Sequence, residues 1–139
     1  MKIFRVILAA TAFFLYPAVQ ADDRQMVKMP EMMQEHMMNN MRDHVMAVHE
    51  ILTALSEDRL DQAALVAEER LGMSSLDNHG ASHMANFMPQ QMGEIGTSMH
   101  KAASRFARTA EEGDHLTAYD QLNQITAACV ACHAGYRIR

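Results

Sequence analysis

Residues 88–113 read MPQQMGEIGTSMHKAASRFARTAEEG, and the spacing of their apolar side chains decides the fold. Met88, Met92, Ile95, Met99, Ala102, Phe106 and Thr109 recur at steps of three and four, the repeat of a single helix face. Pro89 suits the first turn of such a helix, and Gly113 lies just past its end. The same period continues on both sides. Downstream, Asp114 is a good N-cap for a last helix that carries Leu116, Tyr119, Leu122, Ile125, Cys129, Cys132, His133 and Tyr136 around one side. Upstream, a short helical turn is expected over 81–87. It follows the connection MSSLDNHG, in which Asp77, Asn78 and Gly80 supply turn chemistry.

Two further helices precede that connection. One spans about 59 to 71, with Leu60, Ala64, Ala67 and Leu71 apolar and Gly72 as a stop. The other spans about 31 to 56 behind Pro30, with Met33, Met37, Met41, His44, Val48, Ile51 and Leu55 on one face and Asp43, Glu50 and Glu57 off it. No segment alternates with a period of two, so no sheet is expected. Four helices with short connections predict an all-α, antiparallel four-helix bundle, an architecture that places ligand sites between facing helices.

At the N-terminus, Lys2 and Arg5 precede an apolar run from Val6 to Tyr16, which Pro17 breaks. Small residues at Val19 and Ala21 then suit a signal peptidase. The run is too short for a membrane span and has the flanks of a secretory leader. We therefore expect a signal peptide over 1–21, a single domain over 22–139, and a periplasmic location. Losing Lys2 and Arg5 from the 12 basic residues leaves 10 against 17 acidic ones, a formal charge of −7. No basic patch with interleaved aromatics exists for nucleic acid to bind, and no second apolar run could span a membrane. Only four aromatic side chains remain, Phe87, Phe106, Tyr119 and Tyr136, against thirteen methionines. A core so short of bulk suggests a bound group at its centre.

The two cysteines of the chain stand in Cys129-Val130-Ala131-Cys132-His133. Structural zinc would need two more ligands from elsewhere. A redox pair of the thioredoxin kind needs a βαβ setting that is missing, and a disulfide across two helical residues would be strained. A Cys-x-x-Cys-His run in an exported chain is the attachment signature of a c-type haem. Thiols three apart share a helix face and can each form a thioether to one vinyl group. His133, four on from Cys129, can direct its imidazole at the iron from that face.

Cys129 to Arg137, CVACHAGYR, resembles the Cys-x-x-Cys-His-x-x-Tyr-Arg ending of the class II cytochromes c, the family of cytochrome c′ and cytochrome c556. The resemblance implies a four-helix bundle with one covalent haem c on the last helix. Cys129 and Cys132 would carry the thioethers and His133 would be the proximal iron ligand. Arg137 would sit beside His133 and Tyr136 would pack nearby. It also implies a distal residue from the first part of the first helix, a methionine in low-spin members and an apolar side chain in gas-binding ones. Counting back from the turn after Leu55 puts that position at Met41, with Met37 and Met38 as fallbacks and His44 as a further candidate. Protomers pairing through the first two helices are implied as well, and exposed methionines such as Met32 or Met46 could take part in such a pairing.

The expected function is one-electron transport through His133/Met41-ligated haem iron, with partners that offer a basic docking surface to this acidic chain. A five-coordinate haem that binds nitric oxide or carbon monoxide is the alternative. A third reading draws on HMMNNMRDHVMAVH (36–49) and HGASHMANFM (79–88), mixtures of His and Met that could bind copper. There, His79 and His83 would chelate if helical. Glu68, Glu69, Glu111 and Glu112 lie in solvated charge runs without catalytic pairing, so no enzyme is expected.

Overall fold

Pro30, extended at ψ 145°, opens the first long helix, α1 (Glu31–Ser56), which ends at Glu57. After a three-residue turn comes α2 (Leu60–Arg70). The connection to the next long helix holds a 3-10 turn at Met73–Ser75, the one-turn helix α3 (Ala81–Met84) and a second 3-10 turn at Ala85–Phe87. Then α4 (Gln90–Glu111) and α5 (His115–Gly135) complete the helices among the described residues. This computed structural model describes residues 22–139, and the leader expected over 1–21 lies outside the described residues. The helix bounds agree with the sequence reading to within a residue or two, because each is set by local chemistry. At α5, for instance, Asp114 Oδ1 accepts from the Thr117 N–H at 3.1 Å and Asp114 Oδ2 from the Thr117 hydroxyl at 2.6 Å, an N-cap that satisfies an otherwise orphaned donor.

The fold is an all-α bundle of four long helices, with packing that runs from α1 to α2, α2 to α4 and α4 to α5. Arg70 at the end of α2 locks the first pair. Its guanidinium reaches Asp43 at 2.5 Å and Glu50 at 2.7 Å, two of the residues the sequence placed off the buried face of α1. The main core lies towards the α1–α2 and α4–α5 turns. It is built from Ile51, Leu55, Leu71, Phe106, Leu122 and Ile125 around a bed of alanines from α1, α2 and α4. At the other end Val27, Met29, Met37, Met84 and Met92 form a separate cluster, with Met41, Cys132 and Tyr136 packed on its margin.

Two expectations need correction. The expectation of no sheet gives way to one short pairing: in the lead-in before Pro30, β1 (Gln25–Met26) pairs in parallel with β2 (Tyr136–Arg137), and the Val27 N–H donates to the Arg137 carbonyl at 2.8 Å. Two-residue strands carry no alternation to read, and their pairing spans the whole chain. On α5, Leu116 is 84 % and Tyr119 46 % exposed. The inward stripe instead runs Ala118, Leu122, Ile125, Cys129 and Cys132, and the two expected residues lie off it.

Candidate functional site

The last turns of α5 carry the cysteines, and none of its residues after Ile125 is buried. What they face is open space. A cavity of about 270 Å³ lies between α1, α4 and α5, lined by Met41, His44 and Val48 of α1, by Gly96 and Met99 of α4, and by Cys129, Cys132 and His133 of α5. A neighbouring cavity of about 570 Å³ shares Met41, His44, Gly96, Met99 and Cys132 with it and extends to Met37, Met84, Met88 and Met92. The larger falls within the range that small-molecule and cofactor sites occupy, about 300–1,000 Å³, and the smaller lies just below it.

The folded chain therefore brings Cys129, Cys132, His133 and Met41 to one cavity. Cys129 and Cys132 are free, half-buried thiols, and burial pushes both up from the ordinary cysteine range. His133 is exposed at the rim, and its carbonyl accepts from Arg24 at 3.4 Å. Met41 is half-buried and lines both cavities, whereas Met37 lines only the larger and Met38 neither. Tyr136 packs on the methionine cluster and donates its hydroxyl to Gln91 Oε1 at 3.3 Å. The Arg137 guanidinium turns to the lead-in: its Nε is 3.6 Å from Asp22 Oδ2, beyond hydrogen-bond reach, and its Nη1 is 4.0 Å from Met26 Sδ.

The chemistry of this donor set fits a haem. Two reduced thiols, an imidazole and a thioether face an apolar gap between helices. Gly93 and Gly96 add a further sign, because a Cβ built on either would meet nothing within 4 Å. A helix-interior glycine costs roughly 0.5–1 kcal/mol relative to alanine. Bare backbone on the wall of a cavity is thus an expense that close approach of a flat group would justify.

One feature was only partly visible in the sequence, where His44 and His79 fell within the two His/Met mixtures but His100 did not. His44 of α1, His79 of the α2–α3 connection and His100 of α4 meet as a triangle of tilted rings, with ring centroids 4.8, 5.4 and 6.0 Å apart. All three are buried and line the larger cavity. Burial lowers each from the usual histidine value; repulsion from neighbouring rings adds to it at His44, which falls to about 4, and at His79, while at His100 the backbone contacts with Leu71 and Gly72 work against it. His100 Nδ1 donates to the Leu71 carbonyl at 2.7 Å, and His79 Nδ1 lies 3.3 Å from Ser75 Oγ. His44 Nε2 is buried without any partner. His79 is held in place through its backbone, since its carbonyl accepts from His36 Nε2 at 2.9 Å and Asn40 Nδ2 at 3.0 Å. The helical spacing that would have joined His79 to His83 is not formed. Gly80, at φ 62°, separates His79 from α3, and His83 is exposed.

The reading of α4 missed His100 because it followed the Met92–Met99–Phe106 stripe alone. A second stripe of Gly96, His100, Ala103, Ala107 and Ala110 repeats at the same spacing and marks the buried side on which His100 lies. Comparison of the chain with protein-family models, curated proteins and solved structures finds no match to any of them.

Proposed function

We propose that this protein is an exported c-type cytochrome of class II type that carries single electrons on one covalently bound haem. The observation that carries the reading is the meeting of Cys129, Cys132, His133 and Met41 at one cavity between α1, α4 and α5. Cys129 and Cys132 would hold the group through thioethers, His133 of α5 would ligate the iron, and Met41 of α1 would supply a thioether ligand. When bound, the haem supplies the one-electron ferric–ferrous couple.

The chain's own residues do the rest. Met41 and Met99 line the inner side of the cavity, and thioether ligation by Met41 would raise the reduction potential. Tyr136 and Arg137 tie the end of α5 to Gln91 and to the N-terminal lead-in, which fixes the last helix against α4. Periplasmic placement follows from the secretory pattern of residues 1–21. The formal charge of −7 on residues 22–139 suits a redox partner with a basic docking surface. Exposed Met32, Val45, Met46 and Leu52 on α1 and Leu65 on α2 provide apolar area for pairing of two protomers through those helices.

A second reading draws on the larger cavity beside Met41. If Met41 packs without ligating, an iron open on that side would bind nitric oxide or carbon monoxide.

The test is the optical spectrum, ferric and ferrous, of protein co-expressed with a cytochrome c maturation system. Sharp low-spin bands, unmoved by carbon monoxide, are expected. A high-spin spectrum that shifts with the gas would favour the second reading, and protein that never acquires covalent haem would overturn both.

A further inference from the structure

The histidine triangle lies on three separate elements and has no part in haem attachment. We propose that His44, His79 and His100 form a binding site for one divalent transition-metal ion, zinc or copper(II), in the wall of the larger cavity.

The spacing is the first ground. Three imidazoles on one tetrahedral ion, with metal–nitrogen distances of about 2.0–2.1 Å, place their ring centroids about 5 Å apart. The observed separations are 4.8, 5.4 and 6.0 Å. The second ground is which nitrogens are free. Metal-binding histidines characteristically donate their other ring N–H to a carbonyl or similar group, which fixes tautomer and orientation. His100 does this through Nδ1 to the Leu71 carbonyl, and His79 has Nδ1 against Ser75 Oγ. Both are left with Nε2 as the available donor. The third ground is His44, 92 % buried with its Nε2 unpartnered, an orphaned buried polar atom that a bound ion would satisfy.

As the rings stand, no three His, Cys, Asp or Glu side chains among the described residues are set to hold an ion. Closing the site needs rotation about χ2, a broad and soft torsion, of His44 above all, whose Nε2 no hydrogen bond holds. The donor set is all imidazole, which suits zinc and copper over magnesium or calcium. Only three protein ligands are offered, so a fourth position would open on the cavity of about 570 Å³. Such an open position is the mark of a site that binds a further ligand, in contrast to a closed structural one. Neither cysteine is needed, so the site stands or falls apart from the haem.

Isothermal titration of Zn²⁺ alone into chelator-stripped protein tests this, in the native chain and in the Cys129→Ser, Cys132→Ser chain, which has no thiol donors. One ion per chain with micromolar or tighter affinity is expected in both. Each of His44→Gln, His79→Gln and His100→Gln should weaken binding by about tenfold or more, while His83→Gln and His49→Gln leave it unchanged. Absence of saturable binding, or binding that survives the first three substitutions, overturns the site. Because a buried histidine variant can fail to fold, ¹⁵N chemical shifts of the imidazoles in the unsubstituted thiol-free chain give a second readout. Zn²⁺ should move the Nε2 signals of three histidines together, and movement of surface histidines alone would equally refute the proposal.

Discussion

Gly80 shows how a single residue can set the geometry of a site it does not belong to. Its φ of 62° is left-handed, and a Cβ there would lie 3.1 Å from His36 Nε2, the group that donates to the His79 carbonyl. A side chain at 80 would therefore meet both backbone strain and a crowded partner. Gly80→Ala is expected to lower stability by about 1–2 kcal/mol, read as a lower midpoint in urea unfolding. A midpoint unchanged from the parent would show that the turn relaxes freely. Met41 poses the opposite question, since its role depends on what fills the cavity. In haem-loaded protein Met41→Ala should abolish the low-spin spectrum and let carbon monoxide bind. In the haem-free chain the same change should cost only what a half-buried methionine contributes to packing. If the spectrum of the loaded variant stays low-spin, another residue of α1 holds the iron.

At the level of the helix, the ends and the faces of these elements carry different information. Asp114 caps α5, and the Thr117 N–H and hydroxyl hold its carboxyl below the usual range. Its folded value is depressed, so its contribution is present above the unfolded carboxylate range and fades as pH falls through the folded value. Asp114→Ala should thus lower the thermal midpoint at neutral pH. The gap between parent and variant should narrow under acid conditions, and a gap independent of pH would refute the cap. Helix ends of this kind were legible in the sequence because Pro30, Pro89, Asp114 and Gly113 act locally. Faces were only half legible. Met92, Met99 and Phe106 declared one side of α4, but His100 and the small residues that follow it lie on a second buried stripe, and no local rule says that three histidines from distant segments will meet. The shared face of Cys129, Cys132 and His133 was legible from their spacing, while the tie of that end to β1 was not, since the pairing joins residues more than a hundred positions apart. Gly96 belongs to the same face of α4. Gly96→Ala should raise the stability of haem-free protein by about 0.5–1 kcal/mol, whereas Gly96→Phe would fill the cavity and reduce the yield of covalent haem. Undiminished attachment in the Phe variant would place the haem elsewhere.

Across the molecule, two kinds of interior divide the bundle. Towards the α1–α2 and α4–α5 turns, Ile51, Leu71, Phe106 and Ile125 are fully buried among alanines, a close-packed core that does not require a ligand. Towards the cysteines, methionines surround two cavities, and the last two to three turns of α5 bury nothing. Methionine fills irregular gaps but specifies packing weakly, so this end should open locally at lower free energy than the other. Hydrogen exchange makes the contrast measurable. In the Cys129→Ser, Cys132→Ser chain, amides of residues 126–135 and the first turns of α1 should exchange well before those around Ile51, Phe106 and Leu122. Haem loading of the native chain should slow the first set and leave the second nearly unchanged, because a group wedged between α1, α4 and α5 braces only the end it touches. Uniform protection in the haem-free chain would mean that the methionine end holds itself together, and the case for a resident group at its centre would lose its structural ground.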